Sequence, residues 1–194
     1  MTRLKRFAPV AAVLLASTPA FAHVGAGPAS GFGNGLLHPL CGIDHLAAMI
    51  AVGLWAAQQG KRAVWAVPLA FVTVMALGGA VGMAGHTLPF AEQGIAASVL
   101  VLGVLIAAAA RLPLAAGVLL VATFAFFHGH AHGAEMPSTA SGLAYGAGFI
   151  AATASLHLCG IAIGLSLKRL DKPRVLRLAG AAVALCGVAL FLAK

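Results

Sequence analysis

Charge is what this chain has least of. Only 8% of its 194 residues are charged, where a soluble domain carries about 25%. Hydrophobic residues make up 61%, and the mean hydropathy is +1.01. This excludes a soluble globular domain and, equally, a disordered chain. The three cysteines, Cys41, Cys159 and Cys186, all fall inside apolar segments. No pair sits in a loop, so no disulfide framework is expected. A GxxxxGK[ST] loop is missing, which excludes nucleotide hydrolysis on this chain as a driving force. HExxH is missing as well, and carboxylates are too few for a calcium cage. The net charge of +8 has no basic face or recognition motif behind it, so it is not a nucleic-acid footprint. No internal repeat is evident.

What is there reads as an all-α integral membrane protein. Residues 1–22 have the pattern of a cleaved signal peptide. Arg3, Lys5 and Arg6 precede the apolar run Phe7 to Ala16, and Ala20-Phe21-Ala22 fits the small-x-small cleavage site. Cleavage would make His23 the mature N-terminus, where an amine beside an imidazole is a bidentate chelator. Residues 23–194 then form one transmembrane domain, opening with a Gly-rich lead-in to Gly35. Six apolar segments follow, at about 35–57, 63–84, 94–110, 114–127, 142–167 and 176–193. Small-residue pairs such as Gly78-x-x-x-Gly82, Gly142-x-x-x-Gly146 and Gly160-x-x-x-Gly164 are at the spacing of close helix contacts.

The loops set an orientation. With His23 outside, the inside loops hold Lys61, Arg62, Arg111, Lys168, Arg169, Lys172, Arg174 and Arg177. The outside loops hold neither Lys nor Arg, so the positive-inside rule and the signal peptide agree. A six-helix bundle with both ends outside, in a bacterial inner membrane, is the expected fold. Trp55 and Trp65, flanking the first inside loop, are expected as interfacial anchors.

In this frame the polar membrane residues gather toward the outer side. An ionised carboxylate at membrane depth costs about 3 kcal/mol or more, so it marks function. Asp44 lies within the first segment, in His38-Pro39-Leu40-Cys41-Gly42-Ile43-Asp44-His45. His38 and His45 are seven apart and share a helical face, with Met49 near it. Asp44 points about a third of a turn away from His45. On a regular helix it is an orienting partner of a histidine; a break around Pro39 and Gly42 leaves it open as a direct ligand. In the fourth segment His128 and His132 are i, i+4 with Glu135 three further, on one face if the helix persists past Gly129 and Gly133. His86 and Glu92 occupy an outer loop, and His157 lies deeper in the fifth segment. Imidazole with carboxylate suits Ni, Zn, Co or Cu(II). Met49 and Cys41 are soft donors whose first reading is packing.

Two stretches carry a resemblance. His38-Pro39-x-x-Gly42-x-Asp44-His45, with Met49 and Gly53, resembles the H-x5-D-H signature of the HupE/UreJ family. Phe127-His128-Gly129-x-Ala131-His132-Gly133-x-Glu135 resembles its second signature, FHGxAHGxE. Both appear in order, without departure. The resemblance implies a nickel permease, with cobalt as the alternative cargo, serving hydrogenase or urease maturation proteins. It implies metal recognition by His38, Asp44, His45, His128, His132 and Glu135, with Glu92 at an acidic loop position. His130 is an additional histidine.

The expectation is therefore a secondary transporter, not an enzyme, with no prosthetic group. It takes up Ni2+ (or Co2+ or Zn2+) through His128, His132 and Glu135, assisted by His23, His86 and Glu92, and on to His38, Asp44 and His45. The alternatives are a membrane metalloenzyme on the same ligands and a metal-binding accessory subunit that does not transport.

Overall fold

In the computed structural model the residues described are 31–136 and 141–193. The expected signal peptide, residues 1–22, and His23 lie outside them. Among the described residues every element is an α-helix: α1 (Gly31–Cys41), α2 (Ile43–Gln59), α3 (Ala63–Met83), α4 (Ala91–Ala107), α5 (Leu114–Ala134), α6 (Gly142–Arg169) and α7 (Pro173–Leu192). Helix is what such a sequence must adopt in hydrocarbon, because each backbone N–H and C=O is then paired within its own segment.

Four helices, α3, α5, α6 and α7, are long and apolar enough to cross a membrane. This establishes a multi-pass membrane protein. The other two expected spans look different. α4 is apolar but has only 17 residues. The first span is not one rod: α1 and α2 meet at an 83° bend. The break is at Gly42, which is extended (φ −93°, ψ 121°) and starts α2. Pro39 is accommodated inside α1.

α2 is the centre. From Met49 to Gln58 it is buried on every side except at Ile50, packed against α6, α4, α3, α7 and α1. A helix apolar all round belongs in the interior of a bundle. Trp55 is consequently fully buried, with its ring against Gly117 of α5. It is not the interfacial anchor expected from its position beside a loop. Trp65, 68% exposed on α3, does face outward, as do Leu69 on α3 and Leu178, Leu185 and Leu192 on α7.

Glycine sets how closely the helices approach. A Cβ on Gly129 would collide with the Met75 carbonyl, and one on Gly133 with the Gly79 carbonyl. From the other side Gly78 and Gly82 lie against the backbone of Phe126 and His130. The α3–α5 seam is thus backbone on backbone. Gly160 meets the Ile50 carbonyl of α2 and Gly164 the Ala57 side chain. The expected contact at Gly146 is not made: nothing lies within 4 Å of a Cβ there.

The two ends of the bundle differ. One carries the α1–α2 bend, the loop 84–90 and the end of α5. The other carries the basic loops, whose cations also close helix ends. Lys168 Nζ donates to the Ala57 carbonyl at 3.2 Å, Arg111 to Gln59 at 3.3 Å and Arg177 Nε to Ala107 at 2.7 Å. Positive charge at the C-termini of α2 and α4 satisfies bare carbonyls and complements the helix dipole.

Gly129→Ala is expected to destabilise the detergent-solubilised protein by about 1–3 kcal/mol, the usual cost of overpacking. Gly146→Ala serves as its control and should stay within about 0.5 kcal/mol. Thermal unfolding of the two variants side by side measures the difference.

Candidate metal centre

The bend at Gly42 creates the site. α2 begins at Ile43, so Asp44 and His45 occupy its first turn, where free N–H groups favour a carboxylate. Asp44 Oδ1 accepts the backbone N–H of His45 at 2.8 Å and the Nδ1–H of the same residue at 2.7 Å. With Nδ1 committed as donor, Nε2 of His45 keeps its lone pair. That nitrogen is buried and has no hydrogen-bond partner. This is the carboxylate–histidine arrangement that fixes a tautomer and raises the basicity of the outward nitrogen. Asp44 orients the His45 ring, and with the break at Gly42 it belongs to neither donor group among the described residues. Gly42 makes room: a Cβ there would sit 2.7 Å from Asp44 Oδ1 and 3.0 Å from His45 Nδ1.

α5 supplies the opposing wall. It remains helical to Ala134, and the Glu135 N–H still bonds to the Ala131 carbonyl at 3.0 Å. His128, His132 and Glu135 therefore keep the shared face expected of them. The glycines of FHGxAHGxE point elsewhere, into the α3 seam, and hold that wall in place. His45, His128 and His132 can offer one nitrogen each within 4.8 Å of one another. Their rings are close, His45 lying 4.1 Å from His132 and 4.9 Å from His128 between centroids. All three are buried.

A second group shares one member with the first. His38, His132 and Glu135 also place one donor each within 4.8 Å. His38 Nε2 is 3.5 Å from Glu135 Oε2, and its ring stands edge-on to His132 at 4.6 Å. Glu135 is exposed, with its side chain at 52%. Both nitrogens of the His132 ring are without hydrogen-bond partners, so this imidazole faces two donor groups with none of its capacity used.

Ser98 was not among the expected residues. It is fully buried on α4. Its hydroxyl donates to the Ile95 carbonyl at 2.6 Å and lies 2.8 Å from His128 Nε2. A hydroxyl that has given its hydrogen away accepts, so the Nε2 of His128 carries the proton. Nδ1 is left bare, and it too is unpartnered. Ser98 thus does for His128 what Asp44 does for His45. A lone hydroxyl in the apolar run Gly94 to Gly103 is the signal that marks it.

The other expected residues divide. Met49 is buried one turn beyond His45 on α2. Glu92 stands in the first turn of α4, at the same end of the bundle. His130 Nε2 donates to the backbone carbonyl of His86 at 2.6 Å, tying α5 to the 84–90 loop. Neither His130 nor His86 belongs to either donor group among the described residues. Cys41 is exposed and stands outside both groups.

Known proteins match nearly the whole chain. The family model described as HupE / UreJ protein matches residues 11–190. The chain belongs to this family. Protein HupE of Rhizobium leguminosarum bv. viciae is 48% identical over 181 residues, covering 92% of this chain and 93% of that one. No solved structure matches. In the structure the donor groups are made of His38, His45, His128, His132 and Glu135, with Asp44 behind His45.

Two substitutions test the orienting contacts. Asp44→Asn and Ser98→Ala each leave the imidazole nitrogens in place but release a tautomer. Each is expected to weaken nickel binding by the purified protein by about 10- to 100-fold, the usual cost of losing such a partner. Isothermal titration with Ni2+ measures it, and unchanged affinity in both would count against the tautomer assignment.

Proposed function

We propose that this protein is a permease that moves Ni2+, with Co2+ as the alternative cargo, inward across a bacterial inner membrane to supply hydrogenase or urease maturation proteins. One observation carries this reading. His132 belongs both to a group that includes the exposed Glu135 and to an all-imidazole group that is buried. An ion held by Glu135, His38 and His132 can pass to His45 and His128 by exchanging ligands around a shared imidazole. It sheds water stepwise and is never bare in hydrocarbon, which would be prohibitive for a divalent charge.

The donor set supports a borderline metal. Imidazole with one carboxylate suits nickel, cobalt and zinc, while magnesium and calcium prefer cages of oxygen. The name of the rhizobial relative, Protein HupE, and the shared family are consistent with a hydrogenase connection. The positive-inside distribution supports a topology with the donor end toward the periplasm. A bent α1–α2 pair counted as one span, with the short α4, brings the total to six. His23, released by signal-peptide cleavage, would add its amine and imidazole on the same side.

Purified protein in liposomes should accumulate radiolabelled nickel, with cobalt competing better than magnesium. His132→Ala removes the shared ligand and is expected to cut the initial rate by about tenfold or more. Tight binding without accumulation would sink the permease reading and leave a binding subunit.

A further inference from the structure

Like His86 and His130, His157 stands outside both donor groups among the described residues. His157 lies near the middle of α6, 1% exposed, and neither of its ring nitrogens has a hydrogen-bond partner. A buried polar group left unpaired costs about 1–3 kcal/mol. A phenylalanine would fill much the same space without that cost, so packing alone does not account for an imidazole.

Its neighbours give it a use. The Phe71 ring stands perpendicular to His157 at 5.0 Å between centroids and also lies 5.7 Å from His128. Phe71 therefore touches the buried imidazole group on one side and His157 on the other. Thr153, one turn before His157 on the same face of α6, donates its hydroxyl to Met75 Sδ at 3.6 Å. Met75 is in turn one helical turn from Phe71 on α3. The face of α2 that begins at His45 continues through Met49 to Gly53, where the His157 carbonyl is in backbone contact. An imidazole with neither nitrogen hydrogen-bonded thus sits beyond Phe71, nearer the basic end than the donor groups, with the Thr153–Met75 pair one turn outward of it.

We infer that His157 is a third metal-handling station, receiving the ion from the His45–His128–His132 group past the Phe71 ring. This rests on the permease reading and extends it inward. The step is a ligand exchange: a neutral imidazole always has one nitrogen lone pair to offer, and no proton or electron need move. A single imidazole would hold a borderline divalent ion weakly, as a station that must release its cargo should.

The test separates binding from movement. Full-length wild type, His157→Phe and His157→Gln are purified and assayed for nickel binding and for nickel uptake in liposomes. Both variants should bind nickel within about threefold of wild type, because the outer groups are intact, while initial uptake falls by about tenfold or more, the scale of losing one metal-holding contact. Uptake within twofold of wild type in either variant overturns the inference. So does a loss of uptake matched by an equal loss of binding, which is what a purely structural histidine would give. If neither variant folds, anomalous scattering from wild-type crystals soaked in Ni2+ decides: a peak at bonding distance from a His157 nitrogen supports the station, and its absence rejects it. Wild type that accumulates no nickel rejects the permease reading itself, before any variant is compared.

Discussion

The 2.7 Å hydrogen bond between Asp44 and His45 is the contact on which the candidate metal centre depends. It needs a helix that starts at Ile43, because only then does the carboxylate also meet the free backbone N–H of His45. The start needs Gly42, where a side chain would occupy the space of the carboxylate. The bend in turn brings α1 back so that His38, on the other side of the break, reaches His132. One bare residue between two short helices thus sets a tautomer, a ligand direction and the meeting of two donor groups. The carboxylate itself is stabilised by local N–H groups, which offsets part of the desolvation cost of keeping it at membrane depth.

The opposite wall depends on absence of side chains as well. In FHGxAHGxE the histidines and glycines have separate tasks. Gly129 and Gly133 bring α5 against the carbonyls of α3, and this close approach fixes where His128 and His132 stand. Neither wall is held by strong bonds across the site. Each is positioned from behind, by Asp44, by Ser98 and by the glycine seam, so the nitrogens facing inward remain uncommitted. Such uncommitted polar atoms are normally rare in a packed interior.

Much of this was legible in the residues. Helices, the multi-pass class, the polarity of the two ends and five of the donor side chains follow from hydropathy, loop charge and the i, i+4 spacing. The shared face of His38 and His45 assumed a regular helix and does not exist as such; the two meet at His132 by folding over a break. Spacing leaves Asp44 between two roles, since its part depends on a distance that spacing does not encode. Ser98 is hidden in the sequence because a single hydroxyl in an apolar run is usually satisfied by its own helix. Its second contact, to His128, spans 30 positions of sequence. Trp55 was misplaced because proximity to a loop suggests an interface, whereas the central position of α2 is a property of the whole bundle. His130 looks like its neighbours in sequence, yet it faces α3 and the His86 carbonyl.

The distribution of fixed charge along the bundle has an energetic consequence. Asp44 and Glu135 lie at one end, while Lys168, Arg111 and Arg177 are bound to helix ends at the other. On the permease reading, an ion beyond the last imidazole would face those cations on leaving, with Asp171 of the turn between α6 and α7 set among them. A membrane potential negative on the basic side opposes that barrier, by about 2.3 kcal/mol per elementary charge per 100 mV and twice that for a divalent ion. For the permease proposed above, the same asymmetry would hold a returning ion away from the basic end, so that fixed charge alone would favour passage in one direction.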